Sequence, residues 1–348
     1  MASIVKNRDL NYDFLRFVGV SCVILAHVNA SQLIFQLRNF DVPLMVMLGG
    51  MSFVNFSSIH YRAYGEYLVG RFLRLILPTW IFLVIFYVLY FLASKSLPRD
   101  LNVVRLLLLV EAPGVGVWVV RVFFLMAIIA PCLHWVNKGI NRYSVFLLSM
   151  VGMWCVYEVI FYIFKLFPLP FLGKALDMLF FQYLAYGWIF LLGMQVLKMP
   201  RRKLLLTFTI CLAIFLAIAL YFVAVGDGFT ATQNFKNPPR LYYVSYACSV
   251  SLLLIYLCWY TSVFEAIKKN AVLGFIGGFT LWIYLWHWFF LKVAEIILAR
   301  SNYIVRYLFV YAGAVLISYA QMKLVHWVGV RFARDDKKIA LLRTVFLG

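Results

Sequence analysis

Acidic side chains are few in this chain: 13 Asp and Glu stand against 32 Lys and Arg in 348 residues, and charged residues of both signs make up only 13%. A soluble protein of this length has a large surface that polar groups must cover, so a chain this poor in charge is not one. Cysteine is sparse as well. Cys22, Cys132, Cys155, Cys211, Cys248 and Cys258 all fall inside apolar segments, and none stands at ligand spacing from another. Neither structural disulfides nor a metal site is expected from them. The chain has no low-complexity segment, no clear internal repeat and no stretch polar enough for a soluble domain. A cleavable leader is not expected, because Asp13 and Arg16 interrupt the first apolar run and no small-residue cleavage site follows.

What is present is hydrocarbon: 65% of the residues are hydrophobic. They come in blocks of roughly 18 to 24, the length a helix needs to cross a bilayer at about 1.5 Å per residue. Spans are expected at roughly 12–30, 41–57, 73–94, 116–136, 145–166, 180–198, 204–223, 242–263, 275–298 and 304–328. The fold class is therefore all-α, a polytopic membrane bundle of about ten helices. Residues 1–330 form one membrane domain and 331–348 a short basic tail. One alternating set of loops, with the tail, carries about twice the Lys and Arg of the other, which puts that set and both termini in the cytoplasm. The net charge of +19 is dealt out among these short loops rather than gathered into a stripe, so nucleic acid is not an expected partner. Membrane lipids are. The outward loops are longest at 95–115, where Val103–Val110 reads as an interfacial or re-entrant segment, and at 224–241.

Ionisable groups inside apolar spans are costly unless paired or wet, so the exceptions carry information. The first span contains Asp13-Phe-Leu-Arg16 and then His27. On a helix Asp13 and Arg16 are adjacent, and His27 lies on the face of Arg16 about 16 Å further along. One reading is an interfacial ion pair plus a histidine bonded to a neighbour. The other is a catalytic imidazole, since imidazole takes and returns a proton near neutral pH. Arg71-Phe-Leu-Arg74, ahead of Pro78, sets two guanidinium groups on one side of a helix, suited to a phosphate or serving only as an orientation signal. Arg121, after Trp118 in the fourth span, lies too deep for such a signal and is expected to face a polar cavity.

The turn Lys236-Asn-Pro-Pro-Arg240-Leu-Tyr242-Tyr243 leads into the eighth span, where the tyrosines either stack on a sugar or belong to the interfacial aromatic belt. His287 sits mid-span in the ninth, with Lys292 and Glu295 beyond it as a candidate buried pair. Glu158, Lys323 and His326 are further ionisable groups whose role the sequence leaves open.

Taken together, these segments resemble the integral-membrane acyltransferase-3 family, which includes O-acetyltransferases of bacterial surface polysaccharides. Asp13, Arg16 and His27 look like that family's opening signature, and Asp41-Val-Pro-Leu-Met-Val-Met-Leu-Gly-Gly50 like its second span. Arg71 and Arg74 before Pro78, Trp118 with Arg121 up to Pro131, Lys236 to Tyr243, and Ile283 to His287 are similar to its later motifs. Gly49 departs from it, standing where the family usually has Ser.

The resemblance implies an acyl-CoA donor, most often acetyl-CoA, no metal, and a bacterial cytoplasmic membrane. The acceptor it implies is a carbohydrate such as O-antigen, capsule or a lipid-linked sugar. On this expectation Arg71, Arg74 and Arg16 bind the donor's phosphates, His27 acts as base or acyl carrier, and Asp13 holds Arg16. Asp13 is about 21 Å from His27 by helical rise, too far to orient it directly. Arg121, Trp118, Lys236, Arg240, Tyr242 and His287 are the candidate acceptor-side residues. The rival expectation is a transporter or flippase whose intramembrane charges line a path.

Overall fold

A computed structural model describes residues 9–57, 64–166, 180–226, 228–332 and 336–347. Its helices are α1 (Leu10–Leu25), α2 (Gln32–Leu37), α3 (Asp41–Ser52), α4 (Tyr64–Ser94) and α5 (Val103–Leu107). They continue with α6 (Trp118–Gly139), α7 (Tyr143–Leu166), α8 (Gln182–Val196), α9 (Arg201–Ala224) and α10 (Leu241–Tyr260). The last are α11 (Glu265–Lys268), α12 (Ala271–Gly278), α13 (Thr280–Ile297), α14 (Tyr303–Phe332) and α15 (Asp336–Phe346). No strand is assigned among the described residues. The all-α membrane fold expected from the sequence is the one found.

By length and composition six described helices can cross a membrane, α4, α6, α7, α9, α10 and α14, and a seventh span arises if α12 and α13, bent by 85°, are taken as one. The other expected spans fold as shorter helices. α1 stops at Leu25 and a turn follows, with Asn29 at φ 57°. α3 has 12 residues before a π-turn at Phe53–Ser57, and α8 has 15. Burial explains the difference. Of the most apolar stretch of α9 only 11% is buried, and of α7 and α14 17%, so these present their side chains to hydrocarbon. α3 and α8 are enclosed by protein along most of their length and do not need to match the bilayer thickness. The expected interfacial run begins as the short α5, with Val103, Val104 and Leu108 exposed and the Trp80 indole donating to the Leu107 carbonyl.

The chain forms two compact units. The first comprises Met1–Phe35, Arg62–Phe124 and Ala266–Gly348; the second comprises Gln36–Tyr61 and Leu125–Glu265. In the first, α12 crosses α1 where Gly277 lies against the backbone of Asp13. The basic tail docks here as α15: the Trp282 ring stacks on Phe346 and its indole donates to the Val345 carbonyl. In the second, α3 and α8 cross at a reciprocal pair of glycines. A Cβ on Gly50 would overlap the carbonyl of Phe190, and one on Gly193 would overlap the carbonyl of Met47. Membrane helices lack a hydrophobic drive to associate, so close backbone approach at small residues supplies the packing. Gly49, the departure noted above, faces the Phe190 ring, where a Cβ would sit 3.2 Å from Cε2.

Substituting Gly193 by Ala is expected to destabilise the second unit by about 1–3 kcal/mol through overpacking. Gly152→Ala, where an added Cβ meets nothing within 4 Å, is expected to be neutral or slightly stabilising. Thermal unfolding of the purified protein in detergent measures both.

Candidate functional site

In the first unit α1 and α13 each carry one histidine to the same place. His27 lies in the turn just past α1, with its backbone N–H donating to the Ile24 carbonyl, and its side chain is partly exposed. His287 is fully buried on α13. The two imidazole centroids are 5.5 Å apart. Trp288 stands beside both, its ring 4.3 Å from that of His27 and 4.8 Å from that of His287. Gly116 makes room for that indole, since a Cβ there would fall 2.6 Å from Trp288 Cζ2. The Tyr284 hydroxyl donates to the Gly116 carbonyl, which ties α13 to the segment leading into α6.

The hydrogen bonding sets the tautomer of His287. Its Nδ1 faces the carbonyl of Tyr284, an acceptor, so Nδ1 carries the proton and Nε2 of the neutral ring holds a lone pair. Nε2 is buried without a hydrogen-bond partner in the described structure, as is the indole N–H of Trp288. An orphaned acceptor and an orphaned donor beside a more accessible imidazole are what proton transfer and oxyanion binding use.

Asp13 is buried and approaches Arg16 at 3.9 Å. Arg71 and Arg74 lie in the second and third turns of α4, because that helix begins nine residues before the expected span. Arg71 is half-buried with its guanidinium 5.2 Å from the centre of the Tyr67 ring and its Nε lacking a hydrogen-bond partner; Arg74 is exposed. Trp118 opens α6 and Arg121, one turn on, is buried.

The second unit holds the other candidates. Lys236 is buried and reaches Asp41 Oδ1 at 3.4 Å and Asn39 Oδ1 at 3.4 Å. Arg38 Nη1 donates to Asp41 Oδ2 at 2.8 Å, and Asn39 Nδ2 donates to Thr232 Oγ1 at 2.9 Å. Two cations thus share one carboxylate in a buried cluster. Burial draws the Lys236 ammonium below the ordinary lysine range, and the charge of Asp41 works against that pull. Arg240 Nε donates to Glu158 Oε2 at 2.7 Å, and Glu158 also accepts from the backbone N–H of Leu241, capping α10. The Tyr242 ring stacks on Phe215 at 5.3 Å and its hydroxyl donates to the Thr230 carbonyl.

Glu158, whose role was open, is therefore the counter-ion of Arg240. Lys292 and Glu295 pair at 2.7 Å, but on the exposed side of α13 rather than buried as expected. Arg38 and Asp41 escaped the sequence reading as a pair, although they have the same three-residue spacing as Asp13 and Arg16. Trp288 escaped it too, because nothing distinguished it from the aromatic belt. No group of three His, Cys, Asp or Glu side chains able to hold a metal ion occurs among the described residues.

Asp41→Asn leaves Arg38 and Lys236 buried around a neutral amide and is expected to cost about 3–5 kcal/mol. Lys292→Gln, at a partly exposed pair, is expected to stay within about 1 kcal/mol. Thermal unfolding separates the two.

No curated protein and no solved structure matches the chain. The acyltransferase-3 family model, described as an acyltransferase domain, matches residues 9–322. That stretch begins just before Asp13 and holds every side chain placed above in the two-histidine site and the buried charge cluster, and on its extent the chain belongs to the acyltransferase-3 family.

Proposed function

We propose that this protein is a membrane O-acyltransferase of the bacterial cytoplasmic membrane. It transfers an acyl group, acetyl as the simplest case, from acyl-CoA to a carbohydrate hydroxyl. The observation that carries the reading is the contact of His27, His287 and Trp288 within the first unit.

In this reading the accessible His27 removes the proton from the sugar hydroxyl as its oxygen attacks the thioester carbonyl. The carbon–oxygen bond forms, negative charge develops on the carbonyl oxygen, and the Trp288 N–H is the nearby donor for it. The carbon–sulfur bond then breaks and the leaving thiolate takes the proton back, so the ester and free coenzyme A are the products. The lone pair of His287 Nε2 offers His27 a second place for a proton during the exchange. Arg71, with its unpartnered Nε, and the exposed Arg74 fit the phosphates of the donor, with Arg16 held by Asp13 as a further cation. Arg121 and Trp118 belong to the acceptor side of the first unit, together with His287. In the second unit Lys236 is held by Asp41, Arg240 by Glu158 and the Tyr242 ring by Phe215.

His27→Ala is expected to reduce acetyl transfer by about 10²–10⁴-fold. The check is incorporation of label from acetyl-labelled acetyl-CoA into glycan and lipid-linked glycan in membranes with equal protein levels; most of the activity surviving the substitution would sink the assignment. Arg71→Ala is expected to raise KM for acetyl-CoA about tenfold or more while leaving kcat near its original value, the pattern of a lost binding contact. Steady-state kinetics with the donor varied decides that.

A further inference from the structure

In the second unit the α6–α7 and α8–α9 connections, with the helix turns that flank them, carry six cations: Lys138, Arg142, Lys198, Arg201, Arg202 and Lys203. All six are exposed. The sequence holds no Asp or Glu from 112 to 157 or from 178 to 226. Among the described residues none of the six makes an ion pair. The two connections are bonded to each other. Gln195 Nε2 donates to Asn137 Oδ1 at 2.8 Å, and the Tyr143 hydroxyl donates to the Lys203 carbonyl at 3.3 Å.

Three of these cations are held by neutral groups. Lys198 Nζ donates to the Asn137 carbonyl at 2.6 Å, and Arg201 Nε to the Tyr256 hydroxyl at 2.7 Å. The Lys203 ammonium stands 5.4 Å from the centre of the Tyr143 ring. Each hold costs a long side chain its rotamer freedom. Helix polarity adds to the cost, because Arg201, Arg202 and Lys203 open α9 at the end where its dipole disfavours positive charge, and no acid there offsets it. An orientation signal needs Lys and Arg only in number; it requires neither fixed side chains nor joined loops. Cations fixed without a counter-charge are suited to an anion supplied from outside.

The membrane side of this cluster is hydrocarbon. α7 and α9 turn most of their surface to the bilayer, so the cations at their ends stand at headgroup level. A cavity of about 300 Å³ lies between α7, α9 and α10. It begins at Phe146 and Thr207, three residues past Tyr143 and four past Lys203. Along α7 it continues to Glu158, about 18 Å by helical rise, with a lining that is almost entirely hydrocarbon and thiol. Val151 both lines it and is 55% exposed, which opens it onto the face that α7 turns to lipid.

We infer that the second unit binds an anionic phospholipid, with its phosphate among Lys198, Arg201 and Lys203 and one acyl chain in the cavity. The inference is independent of the acyl-transfer reading. A soluble polyanion would answer the cations and leave the apolar cavity without a role. A zwitterionic lipid would fill the cavity and bring a further positive charge to six others. An anionic phospholipid answers both features.

The test measures the phosphatidylglycerol and phosphatidylethanolamine retained by the full-length protein, by native mass spectrometry after release from nanodiscs containing equal amounts of each. Phosphatidylglycerol is expected to be retained in preference. Replacing Lys198, Arg201 and Lys203 together by Gln is expected to lower the ratio of the two lipids about tenfold or more. The same replacement of Arg99, Lys165 and Arg300, exposed cations elsewhere, removes equal charge and is expected to leave the ratio unchanged. Should the first triple variant unfold, Arg142→Gln with Arg202→Gln removes charge from two exposed side chains and is expected to lower the ratio about threefold or more. A phosphatidylglycerol with a photoreactive diazirine in one chain is expected to cross-link at Met150, Ile210 or Cys211.

Equal retention of the two lipids by the wild-type protein, or an equal fall in the control triple variant, would reduce the effect to overall charge and overturn the proposal. Displacement of phosphatidylglycerol by millimolar inorganic phosphate would make the cluster a site for soluble anions and overturn the lipid assignment. Cross-links scattered over the lipid-facing helices would overturn the cavity as the place of the chain.

Discussion

A charge buried without water must find its counter-charge, and this requirement organises the polar half of the molecule. The cost of an isolated ion in a low-dielectric interior is several kcal/mol even after relaxation. Asp41 accordingly serves both Arg38 and Lys236, and Glu158 serves Arg240 and the first N–H of α10. The Asp41–Lys236 and Glu158–Arg240 contacts join segments far apart in the chain: the Lys236 turn to the start of α3, and the start of α10 to the middle of α7. Among the described residues the buried Asp13 and Asp41 and the partly buried Glu158 are each paired with a cation.

Apolar packing is organised by a different limit. Where helices face hydrocarbon, as α7, α9 and α14 do, almost any large aliphatic side chain is tolerated, and the exposed faces of these helices are built of Leu, Val, Ile and Tyr. Where helices face one another, nothing but close fit holds them, and the fit is made at Gly50 with Gly193 and at Gly277 with the backbone of Asp13. The second of these crossings sits under the Asp13–Arg16 pair, so the packing of α12 on α1 and the placement of the first charged cluster are one event.

The existence and class of the helices were readable because the hydrocarbon blocks have a length only a membrane helix requires. Boundaries failed where protein replaces lipid around a helix. α1, α3 and α8 are shorter than their apolar runs, and α4 is longer because Tyr64 to Phe72 continue the helix past the apolar edge. Of the residues that announce themselves by cost, Asp13, Arg16, His27, Arg121 and His287 each interrupt an apolar run, and His27 and His287 come together in the structure. Pairing was not legible, since Asp41 and Lys236 are 195 positions apart and no local pattern links them. Trp288 was missed for the opposite reason. An indole is at home in a span, and only the ring contacts with two imidazoles reveal it.

Asp13 is too far along α1 to orient His27 directly, and for His287 the structure shows another device. A backbone carbonyl, that of Tyr284, fixes its tautomer. A carboxylate in that position would orient the ring and also neutralise the imidazolium that forms when a proton arrives; a carbonyl orients the ring without supplying a counter-charge. Such a site suits a proton that is held only while a bond exchanges, and acyl transfer between a thioester and a hydroxyl needs no more. In the proposed transfer the proton leaves the acceptor oxygen and returns to the sulfur of the departing thiol, with no net charge left behind. In the proposed reaction two histidines and one indole N–H would move that proton over a short path.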